Sequence, residues 1–107
     1  MIVIYSINFG NKGFIEEYQL NHKKYKEFTT RVEQAAKYLL NEQLPYEDLC
    51  WELAEFQLIY EKGHGKYDEH DVRKKAKTLY EISPSYREIC LIIATYREYL
   101  TDKKLYP

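Results

Sequence analysis

Apolar residues recur at three- and four-residue intervals along most of the chain, the spacing of one helix face. Only the beginning breaks that rhythm. IVIYSI at 2–7 is β-branched or aromatic at both alternating sets of positions, as in a strand covered on two sides. NFGNKG at 8–13 follows as a turn with two glycines. Beyond it Phe14, Tyr18, Tyr25, Phe28, Val32, Ala35, Ala36 and Leu39 hold one helical phase without a slip. Glu16 and Glu17 suit a helix first turn. A helix beginning at His22 would instead set His22, Lys23 and Lys24 against the positive end of its dipole. The pattern predicts one long helix over 14–41; a return strand over 14–20, making a hairpin with 2–7, is the competing reading.

Three further helices are punctuated more sharply. Pro45 suits the first turn of the second, with Glu47 and Asp48 behind it, and Gly63 suits a left-handed stop after Glu61. Asp68, with Asp71 three residues on, caps the third, which turns Val72, Ala76, Leu79 and Tyr80 inward. Ser83-Pro84-Ser85 breaks the chain, and Ser85 with Glu88 forms a capping box for a fourth helix reaching Asp102. Its ICLIIATY segment, 89–96, is the most apolar stretch and is expected to be the central core helix. No internal repeat and no low-complexity segment is read. The fold class is mainly α (α+β by strict count): a compact bundle of three to four helices with an N-terminal β-strand or hairpin. One domain covers 1–107, with strand and turn over 1–13, bundle over 14–102 and a tail over 103–107.

Composition narrows the function classes. With 45% hydrophobic and 31% charged residues the chain has the makings of a folded core. A net charge of −1 argues against a protein that coats nucleic acid. Cys50 and Cys90 lie within apolar helical patterns and read as buried, reduced thiols. MIVIYSINFG lacks a basic leader and a cleavage-like segment, and no apolar run reaches membrane-spanning length. A cytoplasmic protein with no membrane partner is expected. If 14–20 is helical, the 2–7 strand needs a partner for its backbone groups, which points to a homodimer through residues 2–7.

Candidate chemistry is sparse. EKGHGKYDEHD at 61–71 offers His64 and His70 with nearby carboxylates as an alternative metal site. The spacing matches no standard metal pattern, and Gly63, Gly65 and Asp68 explain the segment as a turn and a cap. GHGK lacks the spacing of a phosphate loop, and GNKG at 10–13 is followed by two acids that repel an anion. None of the three serines lies in a nucleophile elbow. No cofactor is expected and no catalytic residue is assigned.

Charge segregation is more informative. Residues 38–61 hold six acids and no Lys or Arg, and residues 62–77 hold six bases. On the second helix Tyr46, Leu49, Cys50, Leu53, Phe56 and Tyr60 form a buried stripe, with Trp51, Ala54 and Leu58 opposite. Trp51 and Leu58, rimmed by Glu47, Asp48 and Glu55, resemble a hot spot for a partner protein with a basic surface. Cover from the first helix or the N-terminal segment would make the same face part of the core. Arg73, Lys74 and Lys77, with Tyr67 and Tyr80, are the alternative nucleic-acid residues. A non-enzymatic interaction protein, an adaptor or an inhibitor, is the first functional reading, suited to a phage or mobile-element protein that blocks a host factor. A nucleic-acid-binding module and a metal-dependent enzyme centred on His64 and His70 are the alternatives.

Overall fold

A computed structural model describes residues 22–105. They form four helices: α1 (His22–Glu42), α2 (Tyr46–Lys62), α3 (Glu69–Ile82) and α4 (Tyr86–Asp102). The expected strand over 2–7, the turn over 8–13, the choice between helix and return strand over 14–20, and the dimer contact lie outside the described residues.

Two helices begin where side chains satisfy the orphan amides of the first turn. Asp71 donates its N–H to the Asp68 carboxylate at 2.9 Å, and Asp68 donates its own to the Asp71 carboxylate at 3.2 Å. Ser85 and Glu88 repeat the exchange at 3.1 and 3.2 Å. Pro45 lies one residue earlier than its expected first-turn place, as the residue before α2, and its carbonyl accepts from the Asp48 and Leu49 amides. Gly63 ends α2 with φ 101° and ψ 154°. That is a positive-φ, extended conformation rather than the expected left-handed one, and L side chains rarely adopt it. The C-terminal stops of α1 and α3 use no glycine: Gln43 at φ 54° and Ser83 at φ 58° turn the chain there.

Across the bundle the order is α1, α4, α2, α3, with α4 packed on α1 and α2, and α2 packed on α4 and α3. The core runs through Phe28, Val32, Ala36 and Leu39 of α1, Leu49, Leu53, Phe56 and Ile59 of α2, Val72 and Leu79 of α3, and Ile89 to Tyr96 of α4 apart from half-buried Leu91. The expected central role of α4 is thus shared with α2. Tyr80, expected to point inward, is 51% exposed. Its ring meets Tyr46 edge-on at 5.7 Å from outside the core.

The arrangement contains a repeat that the sequence reading did not find. Positions 40 residues apart match in kind and place: Val32 and Val72, Ala36 and Ala76, Leu39 and Leu79, then Tyr46 and Tyr86, Cys50 and Cys90, Ala54 and Ala94. The positive-φ stops Gln43 and Ser83 share the offset. Each consecutive pair, α1–α2 and α3–α4, lays its first helix against the second helix of the other pair rather than against its own neighbour in sequence. Tyr46, opening α2, donates its hydroxyl to the Pro84 carbonyl before α4, and Tyr86, opening α4, donates to the Leu44 carbonyl before α2 at 2.7 Å. The reciprocal bonds put the starts of α2 and α4 side by side, so the two run parallel at the centre.

Candidate protein-docking groove

The expected docking face of α2 is divided by α3. Ala54 is fully buried and Leu58 is 2% exposed, with Leu58 lying beside Lys74, Lys75 and Thr78 of α3. Leu58 therefore belongs to the core and offers no surface to a partner. The cover comes from α3, not from α1, and it is complementary in charge. Lys75 of α3 pairs with Glu61 of the acidic stretch at 2.7 Å, and Lys62 at the end of α2 pairs with Asp71 of α3 at 3.8 Å.

Trp51 escapes that cover in part. It is half-buried at the mouth of a groove of about 530 Å³ between α2 and α3, whose other walls include Cys50, Ala76 and Tyr80. Glu47 and Glu81 rim one end, and Lys77 and Arg73 follow along the α3 side. The groove is largely apolar and open to solvent. On the far side of Trp51, Asp48, Glu52 and Glu55 line a second hollow of about 480 Å³ with His64 and Tyr67. Glu52 is engaged by Arg97 of α4, whose guanidinium also stacks over Phe56 at 5.7 Å from the ring centre. Trp51 thus separates an apolar trough from an acidic hollow.

The five alternative nucleic-acid residues do not form one strip. Arg73, Lys77 and Tyr80 line the groove, Lys74 lies at the opposite α2/α3 hollow, and Tyr67 is with His64. Arg73 pairs with Glu69 at 2.8 Å, which removes part of the positive field a phosphate backbone needs. His64 and His70 are exposed, and among the described residues no three His, Cys, Asp or Glu side chains gather as metal ligands.

Tyr80 is the site residue that the docking proposal lacked, because its helical phase assigned it to the core. Its exposure follows from its place in the last turn of α3, beside Glu81 and Ile82, both exposed. Among the described residues no helix is long and apolar enough to cross a membrane. In comparisons with family models, curated proteins and solved structures, nothing matches the chain.

Proposed function

We propose that the protein is a non-enzymatic interaction module of the cytoplasm, an adaptor or inhibitor that docks on another protein through Trp51 and the groove beside it. The supporting observation is the pairing of half-buried Trp51 with exposed Tyr80 across an apolar floor, inside a rim carrying both signs of charge. Aromatic anchors in such a setting are the residue types that dominate binding energy at protein interfaces. Leu58 is replaced in this proposal by Tyr80, while Glu47, Asp48 and Glu55 remain as the acidic surround. Small size and the lack of a catalytic motif suit a mobile-element protein that blocks a host factor. Copurification from native cells with the wild-type chain and with Trp51→Ala and Tyr80→Ala variants tests it. A partner lost from both variants, with thermal unfolding still cooperative, is the expected outcome; a partner retained by both discards the groove as the docking site.

A further inference from the structure

Resting on that docking proposal, we infer that the groove takes an amphipathic helix of the partner protein, lying parallel to α3. Its basic last turn sits over Glu47 and Glu81, and its acidic residues lie beside Lys77.

The internal repeat supplies a comparison for the floor. Ala36 and Ala76 occupy equivalent places, yet Ala36 is 3% exposed while Ala76 is only half-buried. Around Ala36 the positions matching Trp51 and Tyr80 hold Leu91 and Leu40, both half-buried. Around Ala76 the two large aromatic rings stand as walls and leave the small floor open. A small residue between large walls is a hole for one apolar side chain, as in the packing of one helix on another.

The dimensions suit a helix. Arg73 to Glu81 spans roughly 12 Å at the 1.5 Å rise of a helix. That is about two turns, enough for apolar anchors at i, i+4 and i+7.

Charge sets the direction. The edge contact of Tyr46 with Tyr80 brings Glu47 and Glu81 to the same end of the groove. Lys77 lies toward the other end and has no ion-pair partner among the described residues. Arg73, next along, shares its charge with Glu69. A helix with acids in its first turn and bases in its last, the arrangement its own dipole favours, fits this polarity when it runs parallel to α3. The reverse direction sets acid against acid.

Trp51 is the single tryptophan of the chain, so its emission reads the groove directly. The probes are two synthetic helical peptides, one with leucines at the anchor positions, acids first and bases last, and one with its leucines replaced by serine. The leucine peptide is expected to shift Trp51 emission to the blue saturably, and the serine peptide is expected to leave it unchanged. Lys77→Glu, a surface substitution that leaves the core intact, should weaken the leucine peptide several-fold. Exchanging the peptide's acids for lysines should restore binding to that variant. Ala76→Leu, which fills the floor, should remove binding.

No shift with the leucine peptide, an equal shift with the serine peptide, or indifference to Lys77→Glu overturns the helix as occupant. A blue shift of the protein alone on concentration overturns it in favour of a second copy, and a shift only with a small apolar dye favours a small-molecule site. If the peptides fail while Trp51→Ala still loses the cellular partner, docking at the groove stands and only the helix is discarded. A partner retained by both Trp51→Ala and Tyr80→Ala discards both.

Discussion

Burial pushes the Cys90 thiol up to about 11, with nearby Glu52 adding to the shift, and Cys50 is raised for the same first reason, with Glu47 adding. Both thiols are therefore neutral and shielded in the native state, and a thiol reagent should modify them slowly until denaturant is added. The raised value also carries a stability consequence. An unfolded cysteine ionises near 8.5, so the Cys90 contribution is intact below about pH 8.5 and declines as pH rises toward about 11. Burial raises Tyr46, Tyr86 and Tyr99 as well, which extends the decline into the tyrosine range. Denaturant midpoints measured from pH 7 to 11 should fall, and fall less steeply in Cys90→Ala; an unchanged slope would show a thiol that ionises freely in the fold. At the acid end the sign reverses. The Asp68 N–H held by Asp71 lowers its carboxyl, so the capping box is fully effective above about pH 3.9 and weakens as pH falls below it. Ser85→Ala and Asp68→Ala should each cost about 1 kcal/mol at neutral pH, read from the same denaturation curves. Both boxes were legible because a cap needs only two residue types at a fixed spacing. Gly63 was legible as a stop but not in its φ/ψ region, since glycine alone permits several.

At the scale of the helix, Leu58 and Trp51 show what a helical wheel leaves open. Both lie on the face opposite the α4 side of α2, and an apolar face rimmed by carboxylates has the same pattern whether its cover is internal or external. α3 supplies that cover over Ala54 and Leu58, and it stops short at Trp51. Leu58→Ala should therefore destabilise the fold by about 2–5 kcal/mol, the range for emptying a packed leucine site. Trp51→Ala should weaken partner capture more than it weakens the fold. Thermal unfolding and copurification on the same pair of variants separate the two roles; a stable Leu58→Ala that loses the partner would restore Leu58 to the surface. The clue lay one element away, in the bases of α3. Lys75 opposite Glu61 ties α3 onto α2 beside Leu58, while Glu47, Asp48 and Glu55 keep their places around Trp51.

Across the whole molecule the bundle is held by exchange between its halves. The repeat is faint in the sequence because its matching residues are few and scattered, and most of the surface positions between them differ. Only the pairing of Tyr46 with Pro84 and Tyr86 with Leu44 makes the offset plain. Tyr46→Phe and Tyr86→Phe should each cost about 1 kcal/mol, the usual worth of one such hydrogen bond. The double variant should lose less than the sum, because both bonds tie the same two connections and freeing one loosens the other. Strict additivity in denaturant unfolding would show two independent ties. The exchange of helices also bears on how the chain is made. The apolar face of α1, from Phe28 to Leu39, is buried against α4, whose last core residue is Leu100. At roughly 5–20 residues per second on the ribosome, that face waits for several seconds before its partner is synthesised. During this interval α1 and α2 have no α4 to pack on, and a nascent chain stalled before α4 exposes an unfinished core.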